Sequence, residues 1–216
     1  MLSLIDLLLP SLWDTLYMVF TSLIFTILFG LPLGIVLVVT EKDHILPNPI
    51  VYGALSYVIN MTRSLPFIIL MIFIIPFTRL IAGTTIGTTA AIIPLVIAAI
   101  PFFARVVESA LKEVDWGVIE ASIAMGATPL QIIIHVLIPE SMSSLALGVT
   151  ITLINILGYS AMAGTVGGGG LGDLAVRYGY HRFQTEVMIA TVLVLIVLVQ
   201  IIQLCGNKVA EILNKK

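Results

Sequence analysis

Charge is scarce in this 216-residue chain: Asp, Glu, Lys and Arg make up 10% of it, against about 25% in soluble domains. That excludes a free-standing soluble globule. The formal net charge of -2 is small and selects no class of partner; nucleic acid is not among those expected. A single cysteine, Cys205, excludes an internal disulfide, and its place at the end of an apolar run reads as inert packing. There is no G-x-x-x-x-G-K-[ST] phosphate loop, so the chain itself is expected neither to bind ATP nor to be an enzyme. There is no H-E-x-x-H and no Cys/His cluster at metal spacing; His44, His135 and His181 are scattered and read as surface residues. Ser160 has no base near it in sequence, which speaks against an intramembrane protease. The opening MLSLIDLLLP lacks a basic segment and carries Asp6, so its apolar run is expected to stay as a helix rather than be cleaved as a signal.

Apolar length is what the chain has most of, with 59% hydrophobic residues and a mean hydropathy of +1.16. A membrane-spanning helix needs about 20 mostly apolar residues. Five candidates are expected: Leu12 to Thr40, Ile50 to Phe77, Ile86 to Leu111, Ser141 to Ala163 and Glu186 to Gly206. The expected fold is an all-α polytopic membrane helical bundle, one domain over residues 1–216, with no internal repeat. An odd number of spans puts the termini on opposite sides. Cytoplasmic loops favour Lys and Arg. Placing the C-terminus in the cytoplasm and the N-terminus outside collects Lys42, Lys112, Lys208, Lys215 and Lys216 inside, with Arg105 near the inner end of its span, and leaves Arg79, Arg177 and Arg182 outside.

Between the third and fourth spans, residues 113–139 break the apolar pattern. Gly126 stands where a helix needs a left-handed stop. Thr128, Pro129 and Gln131 restart the chain as a capping box with proline at the first helical position. A bundle that only crossed the bilayer has no need of a structured helix pair outside it. Such a pair suits a membrane protein on which something outside the membrane must push.

Polar groups at membrane depth are costly and usually face protein or a water-filled path. Gly148, Thr152, Asn155, Tyr159 and Met162 recur at spacings of four, three, four and three, so they share one helical face. That face reads as the wall of a solute pathway; a helix–helix contact through a small residue is the alternative. Arg63, one turn from Asn60, is a polar lining, a clamp to a carboxylate, or a side chain that snorkels to the interface. Pro94 and Pro101 kink one face of the third span, and Arg105 and Glu108 near its inner end can pair with each other. The run from Gly164 through Gly170 to Asp173 reads by composition as a flexible outer loop, with tight or re-entrant backbone, or close helix approach, the alternative. The Asn60-Met61-Thr62 sequon falls inside a span and reads as accidental.

The segment Glu120, Ala121, Ser122, then Gly126, then Val136, Ile138 and Pro139 resembles the "EAA" coupling loop of ABC importer permease subunits. The family pattern is E-A-A, three residues, G, nine residues, I-x-L-P. The spacing is intact, with Ser for the third Ala, Val for Ile and Ile for Leu. Gly158 to Gly164 and on to Leu171-Gly172, Arg63 to Leu70, Ile75 to Arg79, and Ala127-Thr128-Pro129 are similar to the methionine importer subfamily. The resemblance implies a five-helix permease acting as a homodimer in the bacterial cytoplasmic (inner) membrane, in contact with membrane lipid. It implies two cytoplasmic ATPase subunits, which would hold ATP and Mg, this chain carrying no cofactor. It also implies an extracytoplasmic methionine-binding lipoprotein. Glu120, Ala121, Ser122, Gly126, Ala127, Thr128 and Pro129 would couple to the ATPase, Glu120 by contact or by capping its own helix. Arg63, Thr152, Asn155, Tyr159, Ser160 and Met162 would line the path. Permeases for another small amino acid, and an ATPase-independent carrier or channel, are the alternatives.

Overall fold

The computed structural model describes residues 4–214, so Lys215 and Lys216 of the charge argument lie outside the described residues. The long helices are α1 (Leu4–Thr40), α5 (Thr88–Leu111), α9 (Met142–Gly164) and α11 (Thr185–Leu213), each long and apolar enough to cross a membrane. Among the described residues there is no strand.

Glycines set how closely these helices approach. On α1, Gly30 and Gly34 lie one turn apart, and a Cβ at Gly34 would fall 2.5 Å from that of Val107 on α5. The absence of side chains there lets the two backbones run together, as small residues do in membrane interfaces. Leu37, Val38, Phe103, Ala104 and Val107 are buried along that seam. α9 closes the central layer, with Leu153, Ile156 and Leu157 packed against α1 and α5 residues such as Met18 and Leu95. α11 docks on α9 through Gly206, which sits against Thr150. Much of α11 faces outward: Ile189, Leu193, Ile196 and Ile201 are exposed. A ring of exposed aliphatic side chains this large is a liability in water and an asset in lipid. Cys205 also lies exposed on α11, so the expected inert packing is corrected.

The second span departs from a single helix over Ile50 to Phe77. It is α2 (Pro49–Arg63) and α3 (Phe67–Phe73), bent by 101° about Ser64–Pro66, followed by α4 (Ile75–Ala82). Asn48 caps α2, accepting from the Val51 amide at 3.2 Å. Pro66 lacks the amide that would continue the ladder and biases Leu65 away from helical backbone. Pro32, Pro94 and Pro101 are absorbed inside continuous helices instead.

The glycine run is also corrected. It is not a flexible loop: Gly170–Leu174 forms the short helix α10, buried against α1 and α9, and a π-helical turn at Ala175–Tyr180 leads towards α11. The Leu171 amide donates to Thr15 Oγ1 at 2.8 Å. Cβ atoms at Gly164 and Gly172 would fall 2.4 Å from the Asp173 amide nitrogen and 2.2 Å from the Ala161 carbonyl oxygen. The glycines therefore serve close packing, the use that composition alone ranks second.

Candidate coupling surface and translocation cleft

At one end of the bundle the chain leaves α5 and forms a helical hairpin. Its first arm is α6 (Trp116–Ala124). Its second arm begins as α7 (Pro129–Ile132), widens into a π-helical turn (Ile133–Leu137) and ends as α8 (Ile138–Glu140). The π turn ends two residues before Pro139, which cannot donate to the ladder. Asp115 is the N-cap of α6, its carboxylate accepting from the Gly117 amide at 2.7 Å. Glu120 is therefore not a cap; it lies in the second turn, exposed.

The tip is built by local rules. Gly126 has φ 83°, and two backbone bonds close the helix end: Gly126 N–H to the Ile123 carbonyl at 2.9 Å and Ala127 N–H to the Ser122 carbonyl at 3.0 Å. This is the Schellman pairing. The expected capping box forms, with the Thr128 amide donating to Gln131 Oε1 at 2.8 Å and the Gln131 amide donating to Thr128 Oγ1 at 3.4 Å. Ile119, Ile132 and Leu137 face inward and are buried. Ser122 is buried, its hydroxyl donating to the Val118 carbonyl, and Ala127 is half-buried, while Ala121, Thr128 and Pro129 are exposed. The outer face shows Trp116, Val118, Ile123, Met125, Leu130 and Ile134, with Met125 81% exposed at the tip. An apolar patch next to Glu120 is the chemistry of a docking surface.

The hairpin is tied back to the bundle. His44, in the α1–α2 connection, packs edge-on against Trp116 at 5.6 Å between centroids. Burial pushes the His44 imidazole below its usual pKa and the Lys112 charge adds to this, while Glu41 opposes it. His44 is thus half-buried rather than the surface residue expected. Beside it runs an ion network. Arg105 Nη1 meets Glu108 Oε2 at 2.6 Å, and Lys112 bridges Glu108 at 3.0 Å and Glu41 at 2.9 Å. The expected Arg105–Glu108 pair is therefore one part of a larger clamp. Arg105 Nη2 also donates to Asn60 Oδ1 at 3.1 Å and to the Ser56 hydroxyl, and the Tyr52 hydroxyl donates to Glu108 at 3.4 Å. The network fastens α2 to the hairpin-proximal half of α5.

The face drawn on α9 divides. Gly148 and Thr152 are buried, and a Cβ at Gly148 would meet Val106 of α5 at 2.5 Å. The Thr152 hydroxyl donates to the Gly148 carbonyl at 2.7 Å, and that of Ser160 to the Leu157 carbonyl at 2.8 Å, so both are internal in this conformation. Asn155 and Tyr159 are half-buried, and Met162 is exposed. The Tyr159 ring stacks on Phe67 at 4.5 Å and 6°, a contact between α9 and α3 that sequence spacing could not reveal. With Thr62, Arg63, Leu70 and Phe102 the stacked pair borders a cleft of about 140 Å³. Asn60 serves Arg105, and Arg63 stands exposed with no hydrogen bond or ion pair among the described residues.

Comparison with known proteins matches residues 30–216 to the family described as binding-protein-dependent transport system inner membrane component. A probable D-methionine transport system permease protein, MetI, of Vibrio cholerae is 56% identical over 202 residues, 94% of this chain and 90% of the relative. The D-methionine permease MetI of Escherichia coli K12 is 52% identical over 158 residues, 73% of each chain. Among solved structures, an inward-facing conformation of the MetNI methionine ABC transporter aligns with a TM-score of 0.95 at 47% identity, covering 97% of both chains. An amino acid ABC transporter with histidines aligns at 0.76 and 19% identity over 95% of this chain and 93% of that one, a likeness of fold alone.

Proposed function

Because the chain belongs to the family of binding-protein-dependent transport system inner membrane components, we propose that it is the permease subunit of an ATP-driven ABC importer for methionine, of both hands. The observation that carries the reading is the hairpin over Trp116–Glu140: a locally self-closed unit that presents Glu120 and an apolar patch outward, beyond the membrane-length helices. Its spacing matches the EAA coupling loop, and the relatives named for methionine transport match over most of their length.

Two copies related by a two-fold axis would enclose the path, since one copy leaves its apolar faces open. Two cytoplasmic ATPase subunits would seat the hairpins through Glu120, Ala121 and the tip at Gly126–Pro129. Closure of that pair pushes the hairpins, and the Arg105–Glu108–Lys112 clamp passes the movement to α2 and α5 together. This is a two-state element biased from outside the membrane. Arg63, Asn155, Tyr159 and Met162 line the path in this reading, while Thr152 and Ser160 hold the wall from behind. An extracytoplasmic methionine-binding lipoprotein delivers the substrate at the face opposite the hairpin, with the C-terminus and hairpin in the cytoplasm and the N-terminus outside.

The test is a gentle-detergent pull-down of the tagged chain from its host, followed by reconstitution of what it brings down. A stoichiometric partner carrying a phosphate-loop sequence, and ATP-dependent methionine uptake by the reconstituted assembly, are expected. A chain that comes out alone and moves solute in liposomes without ATP overturns the reading in favour of a self-contained carrier.

A further inference from the structure

Three of the five described arginines have a partner: Arg105 and Arg177 hold carboxylates, and Arg182 lies over the Tyr178 ring. Arg79 lies in α4, beside the loop that leads to α5. Arg63 is different. The cleft it borders is walled by Ala98 and Phe102 from the middle of α5 and by Tyr159 of α9, so the guanidinium sits at mid-bundle depth. A cation at that depth without a counter-charge is costly and is retained where it meets an anion or a polar path. Beside it the Phe67 and Tyr159 rings, stacked face to face, wall the cleft with aromatic carbon. The Tyr159 hydroxyl has no hydrogen bond among the described residues, which leaves it free to serve a ligand.

We propose that Arg63 and the Phe67–Tyr159 wall form a transient subsite for the transported amino acid inside the path, the guanidinium taking the α-carboxylate and the stacked rings taking the apolar thioether side chain. The proposal rests on the import reading above and adds a place in the membrane where the substrate is chemically recognised. An arginine fork matches a carboxylate with two parallel bonds. A thioether sulfur makes favourable contact with aromatic rings, which an all-carbon side chain makes less well. A permease with such a subsite discriminates on its own, after the binding protein has released its cargo.

The test uses the permease assembled with its ATPase in phosphatidylcholine bilayer discs. A diazirine analogue of methionine is photolysed there, and the labelled peptides are mapped. Label is expected on the peptides carrying Thr62–Leu70 and Tyr159. Excess L-methionine should suppress it; methioninol, which lacks the carboxylate, should not. Arg63→Gln should cut the label by about tenfold, the worth of hydrogen bonds to a charged group, and Arg63→Lys should restore part of it. Phe67→Leu should narrow the preference for methionine over norleucine as competitor. Label that Arg63→Gln leaves unchanged, or that methioninol suppresses as well as methionine, overturns the subsite. So does label that phosphatidylglycerol in the discs abolishes while methionine uptake into sealed proteoliposomes of the same lipids persists, because Arg63 then serves a lipid phosphate. Normal uptake by Arg63→Gln sinks the subsite alone, whereas absence of ATP-dependent methionine uptake by the wild-type assembly sinks the import reading itself.

Discussion

The hairpin tip at one end of the bundle and the glycine-rich segment at the other both turn the chain on glycine, yet they draw on different properties of it. Gly126 sits at φ 83°, and beyond its own chain neighbours no atom lies within 4 Å of the place its Cβ would take. Space is plentiful there; the backbone conformation is what other residues refuse. Gly172 is the reverse: its Cβ would lie 2.2 Å from the Ala161 carbonyl oxygen, and that of its neighbour Gly164 would lie 2.4 Å from the Asp173 amide nitrogen. A flexible side chain could yield; backbone cannot. The tip is thus stabilised by its own short-range bonds and left open to something outside the chain. The far end is stabilised by tertiary contact and is closed.

That contrast breaks most severely at the far end. Gly172→Ala should cost at least the 1–3 kcal/mol or so of overpacking, because α10 must separate from α9 to make room. A lowered thermal midpoint and loss of the monodisperse peak in detergent are expected. An unchanged midpoint would mean that the segment does not pack as described. Gly126→Val should act differently. A β-branched residue forced into the left-handed region costs about 1–2 kcal/mol and distorts the tip, but no packed neighbour is displaced. Membrane insertion and expression should persist while ATP-driven uptake is lost, as followed by uptake of labelled methionine. Normal uptake by this variant would count against the coupling role.

The same contrast explains what was legible beforehand. The tip could be read from residues 120–139 because every determinant lies within a few positions of its partner: Gly126 answers Ser122 and Ile123, and Thr128 answers Gln131. Four of the five spans followed from apolar length for the same reason. The break at Ser64–Pro66 did not, because four other helix-interior prolines in this chain are carried inside continuous helices, and whether a span bends or breaks depends on what clamps its halves. Here Arg105 fixes α2 and Tyr159 stacks on α3. The glycine run misled because composition sees freedom where packing uses smallness. On α9 the helical period placed Gly148 and Thr152 on one face, but it could not say that Val106 of α5 would press on Gly148 or that Thr152 would be buried.

A smaller effect is expected from Thr128→Ala. Loss of an N-cap costs about 1 kcal/mol, and here both halves of the capping box go together. The second arm should fray at its first turn, seen as faster amide exchange at Leu130–Ile132, while the bundle's thermal midpoint barely moves. Uptake should fall by a few-fold at most, because the Schellman closure of α6 is independent of Thr128. A fall as deep as that of Gly126→Val would mean that the Thr128 hydroxyl meets the ATPase directly.

The smallest expected effect is the sharpest test of why Gly126 is needed. Asparagine enters the left-handed region far more readily than other side chains, since its short amide can bond locally. In the free chain nothing stands within 4 Å to oppose it. If backbone conformation is the whole requirement, Gly126→Asn should insert, fold and transport close to wild type, with the Ala127 N–H to Ser122 bond intact by amide exchange. Should Asn instead fold normally yet lose uptake as Val does, the cause lies outside this chain. A side chain there would then be striking the ATPase surface, and Gly126 would belong with Gly172 as a glycine kept for close approach, with the approaching backbone supplied by the partner.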